Sequence, residues 1–377
     1  MIENKIWLSS PHMGLNELKN VTEAFETNWI SSVGPFIESF EKKLASHLNV
    51  EHVAALNSGT SAIHLALILL NVKKDDIVFC QSFTFSASAN PILYLGALPV
   101  FIDSESDTWN MCPNALEEAI LRYIKIGKKP KAIIPVHLYG MPAKMNEIIS
   151  IAAKYEIPII EDAAEAVGSK YNNMPCGSIG ELGVLSFNGN KIITTSSGGA
   201  LLSKNEKMIE SARFLATQAR DTAIHYQHSQ VGYNYRLSNV LAAIGMGQLD
   251  VLEDRVIARR ENFEYYVQAL SGIEEISFLF EMNGFFCNRW LTCILVNPIN
   301  KNGIDNEKIQ LALKRENIES RPLWKPMHLQ PLFKDADFIG GKVSEDLFKV
   351  GLCLPSGSNL TINDLNRVTN AIISLFV

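Results

Sequence analysis

Short apolar runs punctuate the first half of the chain and alternate with segments of helical spacing. The runs are "VAAL" (53–56), "DIVFC" (76–80), "LPVFID" (98–103), "KAIIPVHLYG" (131–140), "IPIIEDAA" (157–164) and "GVLSF" (183–187). Between them, "TSAIHLALILL" and "KMNEIISIAAKYE" repeat their apolar residues at helical intervals. Strands that alternate with helices predict an α/β fold, a mostly parallel sheet with helices on both faces. Ligands of such sheets bind beyond the carboxyl ends of the strands. That rule puts Lys191, Asp162 and the "NSGT" turn (57–60) on one rim, because each follows a predicted strand.

The texture changes near Val251 to one long amphipathic helix, "VLEDRVIARRENFEYYVQAL", followed by strands and shorter helices. The expected division is a large domain over 1–253, whose N-terminal segment is free to pack on its neighbour, and a smaller α/β domain over 254–377. At 377 residues, 47% hydrophobic and 20% charged, the chain can bury a large core. A net charge of −6 offers no basic footprint, so neither nucleic acid nor an acidic membrane is an expected partner. The six cysteines are scattered without a C-x-x-C pair, which argues against a zinc site or disulfide framework and for reduced packing residues. The start "MIENKIWLSSPHMG" lacks a signal-peptide pattern. The apolar run "ILYLGALPVFI" is broken by Gly96 and Pro99, short of the ~20 residues of a membrane helix. A cytoplasmic protein is expected.

Lys191 sits in "SFNGNKIITTSSGGA" (186–200), with apolar flanks that predict burial. Desolvation favours a neutral lysine, a nucleophile able to form a Schiff base with an aldehyde cofactor or a carbonyl substrate; a surface lysine fits the same window. "NSGTSAIHLAL" (57–67) is a strand end, a glycine turn and a helix start carrying Gly59, Thr60 and Ser61, suited to a phosphate or simply to capping. It matches neither G-x-x-x-x-G-K-S nor G-x-G-x-x-G, so nucleoside triphosphate and dinucleotide readings lose ground. "IPIIEDAAEAVGS" ends a strand with Glu161, Asp162 and Glu165, and a carboxylate there can pair with a pyridine nitrogen or cap a helix. Phe83 and Phe85 can stack on a flat ring or fill the core. Pyridoxal phosphate needs all four parts: a phosphate cradle, a ring stack, a pyridinium partner and a lysine.

These motifs, together with "GPFIESFEKKLA", "VHLYGMPAKM", "GYNYRLSNVLAAIGMGQL" and "RPLWKPMH", resemble the nucleotide-sugar aminotransferases of the DegT/DnrJ/EryC1/StrS type, from about Leu8 to the C-terminus. The resemblance implies a fold-type I, pyridoxal 5'-phosphate-dependent enzyme, a homodimer with active sites shared between subunits. It implies that Lys191 is the Schiff-base lysine and proton shuttle, Asp162 the partner of the ring nitrogen and Phe85 the stacked aromatic. Gly59, Thr60, Ser61 and Ser186 would hold the phosphate, with Asn234 reaching in from the other subunit. Glu165 stands where many members have Gln, near the cofactor's phenolic oxygen, so a raised pKa is expected of it.

A closer resemblance, carried by "SFNGNKIITTS", "FLATQAR", "HYQHSQVGYNYRLSN", "NRWLT" and "RPLWKPMHLQPLF", is to the aminotransferases of bacterial bacillosamine biosynthesis. It implies a UDP-2-acetamido-2,6-dideoxy-4-keto-hexose as acceptor and L-glutamate as donor. Arg289, Trp290, Trp324 and His328 fall where sugar-nucleotide contacts are expected, His137 and Tyr139 could line the pocket, and Arg236 is a candidate for the glutamate carboxylate. A GDP-4-keto-6-deoxymannose (perosamine-type) acceptor and a catalytically silent cofactor-binding protein are the alternatives.

Overall fold

The computed structural model describes residues 4–299 and 303–376. The apolar runs form the strands His52–Leu56, Ile77–Gln81, Leu98–Ile102, Ala132–Ile134, Ile160–Asp162 and Leu182–Ser186. They belong to two four-stranded sheets. In the first, Gly199–Ser203 lies between His52–Leu56 and Leu182–Ser186, and Ile160–Asp162 is at the edge. In the second, the order is Phe338–Ile339, Leu98–Ile102, Ile77–Gln81, Ala132–Ile134. Parallel bridges Ile133–Ile159 and Val136–Asp162 join the two. Gly199–Ser203 runs antiparallel to both neighbours, whereas the other pairings are parallel.

The sequence pattern gives no hint of the Gly199–Ser203 strand, because Gly198–Gly199 reads as a turn. A Cβ on Gly199 would run into the Ser58–Gly59 backbone, so glycine here lets the strand pass directly under the start of the helix Gly59–Leu69. "KAIIPVHLYG" keeps only three strand residues, because Pro135 has no N–H to continue the ladder. Its remainder forms the turn Leu138–Gly140, where Tyr139 (φ 54) and Gly140 (φ 91) adopt left-handed conformations. Helix Gly59–Leu69 is buried through Ala62, Ile63, Leu65, Ala66 and Leu67 against the sheet. That burial fixes its N-terminus at the strand ends. Ser58 caps it by accepting the Ser61 N–H at 3.0 Å, a contact of about 1 kcal/mol.

After the helix Leu252–Ala269, Ile276–Phe278, Thr292–Val296, Gly351–Leu354 and Arg321–Pro322 form a small antiparallel sheet. Its core joins Tyr266, Ile294, Leu352 and Val368 to Ile6 from the N-terminal segment. Phe338–Ile339 returns to the large sheet beside Leu98–Ile102, and Phe285–Phe286 pairs with Lys170–Tyr171. Among the described residues no helix is long and apolar enough to cross a membrane.

Candidate active site

A cavity of about 330 Å³ opens at the carboxyl ends of the large-sheet strands. Ser58, Gly59 and Thr60 line one end, at the N-terminus of the buried helix, with Ser186 from the end of Leu182–Ser186. Unpaired N–H groups and the helix dipole make such an end an anion site. Ser61 departs from expectation. Its hydroxyl donates to Asn57 Oδ1 at 2.6 Å and lies 2.9 Å from Ser58 Oγ, so it is occupied within the turn and does not line the cavity. Asn234 is exposed and lies outside its own chain's cavity, its carbonyl accepting from Asn57 Nδ2 at 3.2 Å.

The middle of the cavity carries the ionisable groups. Asp162, buried at the end of its strand, accepts from Ser88 Oγ at 2.7 Å and from the Ala164 N–H at 3.1 Å. Ser88 Oγ is also 2.7 Å from Thr84 Oγ1, and both hydroxyl residues line the cavity. Sequence reasoning passed over this pair, although the run of small hydroxyl residues after the strand Ile77–Gln81 was a visible signal. Lys191 Nζ lies 3.4 Å from Glu165 Oε1 and 4.1 Å from the centroid of the Trp290 ring, its side chain 12% exposed. Glu165 Oε2 accepts the Tyr139 N–H at 2.7 Å. Burial pushes the Glu165 carboxyl up to about 7, aided by the Asp162 charge and opposed by Lys191 and the Tyr139 N–H.

Aromatic rings close the other end. Phe85 and Phe83, alike in residue type, separate here: Phe83 is fully buried, whereas Phe85 is 56% exposed and lines the cavity. The Phe85 ring is 5.4 Å from Trp324, and Trp290 and Trp324 stand 6.2 Å apart. Both indoles line the cavity. Tyr139 is buried behind them, its hydroxyl accepting the Trp324 N–H at 2.9 Å, so it supports the wall rather than forming it.

Four of the residues expected at the substrate lie outside this cavity. His137 is fully buried and absent from the cavity wall: Nδ1 accepts the Ala143 N–H at 2.9 Å, which leaves the Nε2–H to donate to Glu161 Oε1 at 2.8 Å. Glu161 Oε2 accepts the Ile179 and Gly180 N–H groups, so His137 and Glu161 form a hydrogen-bonded knot with Cys176 nearby. Arg236 donates to Glu41 Oε1 at 2.7 Å and to the Ala55 carbonyl at 3.1 Å, outside the cavity. Arg289 donates to the Leu279 carbonyl at 2.7 Å and lies 3.7 Å over the Phe263 ring, on a separate surface. His328 holds Ser82 Oγ at 2.7 Å and stacks on Phe338, also away from the cavity. Each side chain has an internal partner that sequence alone could not reveal.

The donor set fits pyridoxal phosphate: an anion cradle at one end, a hydrogen-bonded carboxylate in the middle, an amine beside it and an exposed ring at the wall. A fold-type I sheet with that constellation defines a pyridoxal-phosphate-dependent transaminase. Residues 11–373 match the DegT/DnrJ/EryC1/StrS aminotransferase family, and the chain belongs to it. It is therefore a pyridoxal-phosphate-dependent sugar aminotransferase. Over 100% of this chain and 97% of the relative, it is 53% identical to EpsN of Bacillus subtilis (strain 168), a protein assigned as a pyridoxal phosphate-dependent aminotransferase. It is 35% identical to the GDP-perosamine synthase of Caulobacter vibrioides over 99% of both chains. The crystal structure of a DegT DnrJ EryC1 StrS aminotransferase from Brucella abortus superposes with a TM-score of 0.89 at 31% identity, covering 95% of each chain.

Proposed function

We propose that the chain transfers the amino group of L-glutamate to C4 of a UDP-2-acetamido-2,6-dideoxy-4-keto-hexose, giving a UDP-4-amino sugar of the bacillosamine type. The observation that carries the transfer is one cavity in which the Lys191 amine, the Asp162 carboxylate and the helix-start cradle converge. The UDP-2-acetamido acceptor is supported by the motif resemblance around "SFNGNKIITTS" and "RPLWKPMHLQPLF". The GDP-perosamine synthases among the relatives favour a second reading, a GDP-4-keto-6-deoxymannose acceptor.

Pyridoxal phosphate, when bound, supplies an aldehyde carbon to carry the amino group and a ring that draws electrons from the bond being broken. Gly59, Thr60 and Ser186 would hold its phosphate, and Phe85 would stack on its ring. Asp162, fixed by Ser88 and the Ala164 N–H, would keep the proton on the ring nitrogen. The Lys191 amine takes the proton from the donor Cα and later returns one to sugar C4, so the face it occupies sets the stereochemistry. Glu165, its carboxyl raised by burial, would donate to the phenolic oxygen in its protonated form. Trp290 and Trp324 line the sugar side of the cavity and would displace water there. Asn234 completes the phosphate site of a second copy in a homodimer.

The test loads the protein with L-glutamate, measures 2-oxoglutarate release, and then offers the UDP-2-acetamido and GDP 4-keto sugars separately, with the amino sugar identified by mass spectrometry. Product from the UDP sugar alone supports the reading. Product from the GDP sugar alone transfers the enzyme to perosamine-type chemistry. Failure to release 2-oxoglutarate from a cofactor-loaded protein would mark a silent binder.

A further inference from the structure

Arg259 on the helix Leu252–Ala269 is 1% exposed and meets no carboxylate among the described residues. Its Nη1 donates to the Trp290 carbonyl at 2.6 Å and its Nη2 to Ser9 Oγ at 3.0 Å, while Nε is buried without an acceptor. Burial, with the neighbouring Arg255 charge, lowers its pKa to about 9. A buried cation held by two neutral oxygens is costly, and the fold keeps it.

What its two acceptors do next gives the reason. Ser9 Oγ donates to the Asn190 carbonyl at 2.7 Å, and Trp290 Nε1 donates to the same carbonyl at 2.7 Å. Arg259, Ser9, Asn190 and Trp290 therefore close a ring of hydrogen bonds around the peptide that leads directly into Lys191. The Trp290 ring face also supports the lysine amine at 4.1 Å. One guanidinium thus fixes both the backbone from which Lys191 springs and the surface on which its amine rests. It also ties three distant segments, the N-terminal strap, the lysine turn and the Trp290 loop, to one helix.

We propose that Arg259 is a positioning residue for the reacting lysine, acting through Ser9 and Trp290 without touching substrate or cofactor. This rests on Lys191 being the reacting amine. A planar fork is required, since a lysine ammonium at the same place is a single point that cannot span both oxygens. Ser9 is only partly buried, so its replacement leaves the fold intact while opening the ring.

The experiment compares Ser9→Ala, Arg259→Lys and the double variant as full-length cofactor-loaded protein, and separately as cofactor-free protein. Steady-state kinetics give kcat and KM, and amine-selective labelling with mass spectrometry reads the accessibility of Lys191 in the cofactor-free form. Ser9→Ala should lower kcat about five-fold, as expected for one lost hydrogen bond. Both KM values should stay within about two-fold, and Lys191 labelling should rise about three-fold. Arg259→Lys should lower kcat roughly ten-fold, and the double variant should match it because both changes cut one path. Wild-type kcat and labelling in Ser9→Ala, with additive losses of melting temperature alone, would overturn the proposal. Lys191→Ala separates the two levels: sustained turnover removes the lysine reading itself, whereas an inactive Lys191→Ala beside unaffected Ser9 and Arg259 variants removes only the role of Arg259.

Discussion

The two ends of the cavity are built by different means. At the cofactor end, every functional group but Lys191 is delivered by backbone position: Asp162 and Ser186 finish strands, and Thr60 opens a helix. At the aromatic end, Phe85, Trp290 and Trp324 come from irregular segments that are held by side-chain contacts such as Trp290 Nε1 to the Asn190 carbonyl. Every arginine or histidine expected at the substrate end, namely His137, Arg236, Arg289 and His328, is engaged with a partner inside the protein. Charge in the neighbourhood of a site is therefore a poor guide to which side chains line this cavity, whereas a strand terminus is a good one.

The largest effect tests the cofactor end. Lys191→Ala should reduce turnover by roughly 10²–10⁴-fold, the usual worth of a positioned proton-transfer group, or more. Since the cradle and Asp162 are independent of the lysine, the variant should still retain cofactor, measured as bound pyridoxal phosphate per chain. Loss of both together would show that cofactor retention depends on the lysine.

The next effect is electrostatic and lies where the ends meet. The Glu165 carboxyl is raised in the fold, to about 7 from an ordinary 4.5. Its contribution to stability is therefore fully present below about pH 4.5 and lost as the pH rises through 7. Glu165→Gln keeps the shape without the titration. Denaturant unfolding of the cofactor-free chain at pH 5 and pH 8 should show the variant gaining up to about 3 kcal/mol on the wild type at the higher pH. In the holoenzyme the pH dependence of the visible cofactor band should change as well. An unchanged difference between the two pH values would mean that Glu165 stays ionised in the fold.

A third, smaller effect separates structural from substrate charges. Glu41 accepts from Arg236, from Arg213 at 2.9 Å and from the Ala55 N–H at 2.7 Å. Glu41→Gln should cost about 2 kcal/mol, less than the roughly 3–5 kcal/mol of a fully buried pair, because Arg213 remains open to water. The KM for glutamate should not move. A changed KM at wild-type stability would return Arg236 to the donor carboxylate.

The sheet was legible because apolar runs and helical spacing are local properties, and with it came the rim that bears Lys191, Asp162 and Thr60. Gly199–Ser203 was not, since the glycines that let it pass beneath Ser58 are also the marks of a turn. Ser61 and Ser58 could not be told apart by composition, because which hydroxyl turns inward depends on Asn57. Arg236 follows Asn234 in a recognisable motif, yet its fate is decided by Glu41, 195 positions earlier. Ring contacts fared better than charges: Trp290 and Trp324 reach the cavity, where large side chains displace water without needing a unique partner.

The smallest effect bears on the boundary of the substrate end. Arg289 is adjacent to Trp290 in sequence, but its left-handed backbone (φ 53) sends the side chain to the opposite surface. There it donates to the Leu279 carbonyl and stacks on Phe263, with Glu281 at 3.9 Å. Arg289→Met keeps the apolar stem and removes one hydrogen bond, one cation–π contact and the long Glu281 ion pair, a loss of about 1.5 kcal/mol. Melting temperature should fall by about 1–2 °C while the KM for the nucleotide sugar stays within about two-fold, because the side chain does not line the cavity. A ten-fold rise in that KM with unchanged melting temperature would place the nucleotide along the Phe263 surface, and the aromatic end would then extend beyond the cavity that Trp290 and Trp324 enclose.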